Sequence, residues 1–263
     1  MLLKDKIAII YGAGGGVGSA VARAFAREGA KLFLTGRNLS SVETVAEEIA
    51  AAGGTVEVAQ VDALDERAID AHLDTVIKKA GRFDIAFNAV GIPNTKLQGV
   101  PMLELDAEQF ALPIATYTKS YFLIARLAAR RMIAQKSGVI MAVTSTPSRA
   151  GLPNMGGVAP AMSAVESLTR GLSAEFASHG IRVVGLRPHG MPDSRTIKEV
   201  FGLHAKAIGI TQPQFEELIA RKTHARRLPS LVEMANVAAF AASDQASGLT
   251  GTIMNLSLGS VDD

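Results

Sequence analysis

A doubly wound α/β fold, one parallel sheet with helices on both faces, is what this sequence predicts, and three observations carry it. Residues 6–37, KIAIIYGAGGGVGSAVARAFAREGAKLFLTGR, read as strand, glycine turn, helix and strand. Apolar runs suited to buried strands then alternate with amphipathic helical patterns to the end of the chain, for a total of about seven strands. The length of 263 residues with 48% hydrophobic content allows one large core, so residues 1–263 are expected to form a single domain.

The first run, Ile7 to Tyr11, is short, rich in β-branched residues and followed at once by glycines, as a buried parallel strand ending in a tight turn would be. Val17, Val21, Ala24 and Phe25 recur at helical spacing, and Gly29 can close that helix. Lys31 to Thr35 restarts the sheet. In such a βαβ unit the helix N-terminus points at whatever lies above the turn, and a dinucleotide pyrophosphate is the guest it suits. Gly12, Gly16 and Gly18 are spaced G-x-x-x-G-x-G and not G-x-G-x-x-G, because position 17 is Val17, while Gly14 and Gly15 add freedom to the same turn. The competing interpretation is a flexible loop that binds nothing, and the flanking strand and helix count against it. Where an NAD-type site places a carboxylate after the second strand, this chain has Gly36-Arg37. An arginine can grip a ribose 2′-phosphate that a carboxylate would repel, which favours NADP(H) over NAD(H). The alternative is a solvated surface arginine.

Val42, Val45, Ala46, Ile49 and Ala50 share a helical face closed by Gly53-Gly54. Thr55 to Val61 is the next strand and delivers Asp62 to its C-terminal end, where it can meet an adenine amino group or cap a helix. Ala68 to Ala80 is a helix closed by Gly81, and Asp84 to Val90 a fourth strand running into Asn88-Ala89-Val90-Gly91. Residues 106–135 carry a long helical pattern that Pro113 should start or kink. Its face through Tyr117, Tyr121, Ile124 and Leu127 suits burial. Gly138 to Thr144 is a fifth strand with Ser145 at its end, followed by a loop and a long helix that reaches His179-Gly180. Pro160 fits that helix only in its first turn. Ile181 to Leu186 is a sixth strand ending in Arg187-Pro188-His189-Gly190. Residues 191–230, with helical patches at 197–208 and 215–222, leave from the ligand edge of the sheet and read as a lid over a substrate. Val232 to Ala242 is a final helix and Gly251 to Leu256 a last strand.

The balance of 27 Lys+Arg against 25 Asp+Glu, with no block of like charge, gives no nucleic-acid or lipid tract. Without cysteine there is neither a disulfide framework nor a thiolate metal site, and the histidines show no metal-ligand spacing. No apolar run is long enough to span a bilayer, and the first strand begins too early to leave room for a signal peptide, so a cytoplasmic protein is the simplest expectation.

The glycine turn, Asn88-x-x-Gly91, Ser145 and Thr250-Gly251, in that order, resemble the short-chain dehydrogenase/reductase family over essentially the whole chain. The family's T-G-x-x-x-G-x-G is matched at residues 11–18 with Tyr11 for Thr, and its N-N-A-G at residues 88–91 is half kept. The resemblance implies a Rossmann-type fold and nucleotide contacts at Gly12, Gly16, Val17, Gly18, Arg37, Asp62, Asn88, Gly91 and the turn from Pro188 to Ser194. It also implies a homo-oligomer, a tetramer, paired through the helices of residues 106–135 and 155–178. In the family a Tyr follows the Ser at a fixed interval and a Lys lies one helical turn beyond it. Counted from Ser145, those places hold Val158 and Met162, and the family's helix Asn falls at Tyr117. Valine and methionine offer neither an exchangeable proton nor a cation. Ser145, Tyr117 and His189 are the catalytic candidates, with Ser163 behind them, each set against a purely structural role.

Three functions follow. The first is an NADP(H)-dependent oxidoreductase acting on a small apolar carbonyl substrate without the usual Tyr-Lys pair. The second is a nucleotide-binding protein without turnover, and the third a non-redox enzyme on the same scaffold.

Overall fold

The alternation of side chains along the first strand builds both halves of the core at once. In the computed structural model, which describes residues 1–262, Ala8 and Ile10 enter one apolar cluster and Ile7, Ile9 and Tyr11 the other. Residue 263, the last of the expected domain, lies outside the described residues. The chain runs β1 (Ile7–Tyr11), α1 (Gly16–Arg27), β2 (Lys31–Gly36), α2 (Leu39–Ala51), β3 (Val56–Gln60), α3 (Glu66–Ala80) and β4 (Ile85–Asn88). It continues through α4 (Ala107–Gln135), β5 (Gly138–Val143), α5 (Val158–Phe176), β6 (Ile181–Pro188), α6 (Arg195–Ala207), α7 (Gln212–Ala220), α8 (Leu231–Ala242) and β7 (Thr252–Leu256).

The seven strands pair in parallel in the order β3-β2-β1-β4-β5-β6-β7. One face carries α1, α2 and α8 through Phe25, Val42 and Met234, and the other α3, α4 and α5 through Leu73, Ile124 and Val165. This is the expected Rossmann-type, doubly wound sheet. Because both faces are covered, the central strands are mostly apolar, and β1 is buried at every residue. The connection order reverses between β1 and β4, which stay paired to Tyr11 and Asn88, and the connections leaving these strand ends in opposite directions open a crevice above them.

Local signals set the element ends. Gly29, Gly53 and Gly81 follow α1, α2 and α3 with φ of 91°, 85° and 79°, a left-handed backbone that only glycine adopts without strain. Asp65 caps α3 by accepting from the N–H groups of Arg67 and Ala68, so the capping open to Asp62 falls three residues later. Of the two roles expected of Pro113, the start of the helix is not what forms: α4 begins six residues earlier and runs from Ala107 to Gln135 with Pro113 inside it. Packing holds that turn in place, because Pro113 is buried and Gly157 abuts the Phe110 carbonyl so closely that a Cβ there would lie 1.9 Å from it. Pro160 does sit in the first turn of α5. The segment read as a lid folds as α6 and α7.

Candidate active site

The C-terminal ends of β1, β2, β4, β5 and β6 open into one cleft of about 960 Å³. Gly12, Gly16, Val17, Arg37, Asp62, Asn88, Gly91, Pro188 and Ser194 border it, as do Ser145, Tyr117 and His189. Gly18 does not border it. A Cβ at Gly18 would lie 2.3 Å from the Gly12 carbonyl oxygen, so this glycine lets α1 pack against its own turn.

The cleft's geometry suits an anion joined to a flat group. Gly15, the N-cap of α1, has no side chain to offer, and the first free N–H groups of the helix find no side-chain cap. Ser194 stands at the N-cap of α6 and likewise makes no side-chain capping bond. These two uncapped N-termini converge, since a Cβ at Gly16 would lie 2.8 Å from Ser194 Oγ. Aligned N–H groups with partial positive charge from two directions form an anion site. On the opposite wall, a Cβ at Gly91 would meet nothing within 4 Å. A ligand can therefore lie directly against bare backbone. The residues present fit a dinucleotide on these grounds. Arg37 is exposed on the rim just beyond β2, and among the described residues its side chain makes no ion pair or hydrogen bond. Asp62 turns the chain beyond β3 by accepting from Leu64 N–H at 2.9 Å, and Asn88 Oδ1 does the same for Val90 N–H at 3.0 Å beyond β4.

Around the deeper part stand the groups that could do chemistry. Val158 and Met162 lie one turn apart on α5, both buried, and border the cleft together with Ser145. With Met155 and Ala161 they form a small apolar cluster, against which Tyr117 packs from α4. Burial raises the Tyr117 pKa above that of an ordinary phenol, although Ile92 N–H donates to its oxygen and partly offsets the effect. His189 Nδ1 accepts from Gly190 N–H at 2.7 Å, so the neutral ring carries its proton on Nε2. Burial, with a smaller contribution from the Lys222 ammonium, lowers the His189 pKa to about 4. Ser145 Oγ has no hydrogen-bond partner among the described residues. Ser163 drops out of the set: its hydroxyl bonds the carbonyls of Ser148 and Ala159, and it does not border the cleft.

Two parts of the site lie outside the motifs of the sequence. Below the cleft, Glu166 continues the face of Val158 and Met162 by one turn and accepts from Arg187, Thr144 and Ser148. The helical spacing of 158, 162 and 166 could have revealed it. Beyond Met162 the cleft continues towards α6 and α7, and Asn94, Gln98, His204, Phe215 and Lys222 border it there. Nothing in the sequence ties the loop after β4 to α6, and only the fold brings them together. Among the described residues no cluster of His, Asp or Glu could hold a metal ion, and no helix is long and apolar enough to cross a membrane.

A family model described as Enoyl-(Acyl carrier protein) reductase matches residues 12–260. The 7alpha-hydroxysteroid dehydrogenase of Escherichia coli (strain K12) is 30% identical over 261 residues, which cover 99% of this chain and 96% of that protein. Among solved structures, NAD+-bound xylitol dehydrogenase superposes with a TM-score of 0.91 at 25% identity, covering 98% of this chain and all of that one (100%). A 7 alpha-hydroxysteroid dehydrogenase complexed with NADH and 7-oxo glycochenodeoxycholic acid gives a TM-score of 0.87 at 30% identity, covering 99% and 96%.

Proposed function

We propose, because this chain belongs to the short-chain dehydrogenase/reductase family, that it is an NADP(H)-dependent oxidoreductase acting on a largely apolar carbonyl compound without the family's Tyr-Lys pair. Its relatives are oxidoreductases, and nicotinamide cofactors are bound in the neighbouring structures. The observation that carries the reading is the meeting of two uncapped helix N-termini with unpaired Arg37 along one cleft that also holds Ser145, Tyr117 and His189. The turn from Gly12 to Val17 and the N-terminus of α6 at Ser194 would hold the pyrophosphate, Asp62 the adenine end, and Asn88, Gly91 and Pro188 the inner ribose and ring. Gly18 supports the turn from behind. A nicotinamide held there supplies hydride to a carbonyl carbon.

The chain's own residues then have to hold the carbonyl oxygen and return a proton. Ser145 Oγ–H and the Nε2–H of neutral His189 are hydrogen-bond donors suited to polarising that oxygen. Tyr117, protonated at neutral pH like any ordinary phenol, is made a weaker acid still by burial, and no ammonium among the described residues offsets this. No donor in the set titrates near neutrality, so the reaction is expected to be slow by roughly 10²–10⁴ relative to a site with a positioned acid. Met155, Val158, Met162 and Met191 make the inner wall apolar. The resemblance to a protein bound to a 7-oxo bile acid supports a bulky alicyclic carbonyl as substrate.

A second reading is favoured by one observation: the two positions aligned with the family's Tyr and Lys are closed by a packed apolar cluster. On that reading the protein binds the nucleotide and turns nothing over; a non-redox reaction in the same cleft is the third possibility. Single-turnover mixing of the NADPH-loaded protein with a panel of cyclic and steroid ketones separates them. Oxidation of NADPH that falls on Tyr117→Phe, Ser145→Ala or His189→Ala supports the reductase, and tight NADPH binding without oxidation supports the silent protein.

Residues 1–263 as a single domain and residues 191–230 as its lid belong to the same reading. So does a homotetramer, supported by Phe110, Leu112 and Phe122 of α4, which stand 36%, 48% and 42% exposed; light scattering tests it.

A further inference from the structure

Under the lid, a chain of hydrogen bonds fixes which way one histidine faces. Asn94 Nδ2 lies 3.3 Å from the Ile92 carbonyl oxygen, which can only accept, so the other amide atom of Asn94 is the acceptor Oδ1. Gln98 Nε2 donates to that oxygen at 2.6 Å. Gln98 therefore presents Oε1 to His204 Nε2 at 3.3 Å. A carboxamide oxygen cannot donate, so the proton of the neutral imidazole sits on Nε2 and the lone pair on Nδ1. Nδ1 has no partner among the described residues, and it is not one of the sealed polar atoms of the core. Phe215 stacks on the ring at 5.6 Å and 11°, which holds its plane. Burial lowers the His204 pKa, so the ring stays a neutral acceptor near pH 7.

The cleft thus has two histidines of opposite polarity. His189 offers a donor near Ser145, and His204 offers an acceptor beneath the lid, with apolar wall between them. An acceptor that a bound ligand shuts off from water at one end of an apolar cleft discriminates by what it leaves unpaired. An apolar ligand strands it, a ligand acceptor repels it, and a ligand hydroxyl satisfies it.

We propose that His204 Nδ1 is a substrate subsite that selects carbonyl compounds carrying a hydroxyl group remote from the reacting carbon, and that the Ile92-Asn94-Gln98 relay sets this selectivity. The proposal rests on the reading of the cleft as a site for carbonyl substrates.

Three probes differing only at the remote end test it: a ring-D androstanone, its ring-A hydroxyl derivative, and the methyl ether of that derivative. Binding is measured by calorimetry on the NADP+-loaded protein, alongside reduction with NADPH. The hydroxyl compound should bind about tenfold tighter than the other two, the size of one net hydrogen bond. His204→Phe, which keeps an aromatic ring against Phe215, should level the three affinities. Gln98→Leu should release the ring to either tautomer, so that the methyl ether now binds as well as the hydroxyl compound. A change that merely loosened the lid would weaken all three probes together and not produce that rescue. Independently of any ligand, ¹⁵N shifts of the wild-type imidazole should report a proton on Nε2. A proton on Nδ1, equal affinities in the wild type, failure of every probe to bind, or a hydroxyl preference that survives His204→Phe would each overturn the subsite. A His204-dependent preference without any reduction would leave the subsite standing and remove the reductase reading, whereas reduction without the preference would do the reverse.

Discussion

Glu166 and Arg187 face each other through two hydrogen bonds, Nε to Oε1 at 2.7 Å and a terminal guanidinium nitrogen to Oε2 at 3.1 Å, with both side chains 3% exposed. Thr144 Oγ1 and Ser148 Oγ donate to the same Oε1 at 3.0 and 2.5 Å. The pair therefore fastens α5 to the end of β6 and to both sides of Ser145, two residues before His189. Burial opposes ionisation of Glu166, but donation by Arg187 and Ser148 outweighs it and holds the carboxyl below its ordinary pKa.

Removing the guanidinium should therefore cost more than removing the carboxylate's charge. Arg187→Met strands a buried carboxylate among hydroxyls and is expected to lower stability by about 3–5 kcal/mol in urea unfolding at pH 7. The sign of the pH effect gives a second check. In the wild type the lowered pKa makes the Glu166 contribution full above the ordinary carboxyl range and lost as pH falls. In Arg187→Met burial should raise the pKa instead, so the gap from wild type should narrow at pH 5. A gap that is constant between pH 7 and 5 would show that Glu166 is not the group left behind.

His72 predicts a separate loss of stability in acid. It is 7% exposed beneath β1, edge-on to Tyr11 with ring centroids 6.3 Å apart, and its Nδ1 has no hydrogen-bond partner among the described residues. Burial lowers its pKa from 6.5 to about 4, Glu57 opposes the shift and Lys79 adds to it. A histidine that binds its proton more weakly when folded contributes full stability above the unfolded pKa. That contribution is lost as pH falls from about 6.5 towards about 4, with up to ~3 kcal/mol at stake. His72→Phe should flatten the melting temperature between pH 7 and 5 relative to wild type. His189, also lowered to about 4, should leave a residual slope that His189→Phe removes. An unchanged profile in both variants would place the acid sensitivity elsewhere.

Cofactor preference should reside in Arg37. With the side chain exposed and unpaired at the rim, NADPH should bind more tightly than NADH by about tenfold or more, and Arg37→Asp should erase or reverse the order. Because the site is open to solvent, the preference should shrink as salt is raised. Equal affinities in a fluorescence titration, insensitive to the substitution, would remove the 2′-phosphate from this account.

The sequence revealed the fold because strand and helix periods, with glycines at their junctions, are local signals. Gly29, Gly53 and Gly81 mark helix ends by backbone need alone. That Gly12 to Val17, Asn88 and Gly91 border one cleft was legible for the same reason, since they lie on short connections from adjacent strands. Pro113 was misread as a possible helix start because packing against Gly157 lets the helix extend past a residue whose propensity counts only the helix's own bonds. The Asn94-Gln98-His204 relay was out of reach: Gln98 and His204 are 106 residues apart, and only the packing of α6 against the loop after β4 brings them together.

The last prediction addresses the pair of positions on which the proposed chemistry turns. Val158 and Met162 are 6% and 4% exposed, share one face of α5, and border the cleft with Ser145. Val158→Tyr together with Met162→Lys would place a phenol beside an ammonium and a serine hydroxyl, and the cation would lower the phenol pKa towards neutrality. Tyr117 packs against this cluster, so the larger side chains crowd it, and overpacking of that kind costs about 1–3 kcal/mol. Tyr117→Asn in the same chain makes room. Neither single substitution should help, because a phenol without the ammonium keeps its high pKa and an ammonium without the phenol has no acid to activate. The combined variant should reduce simple ketones with NADPH at least about tenfold faster than either single variant, a modest share of what a positioned general acid supplies. Robust reduction by the unmodified protein that survives loss of Ser145, Tyr117 and His189 in turn would mean that the reacting carbon sits elsewhere in the cleft.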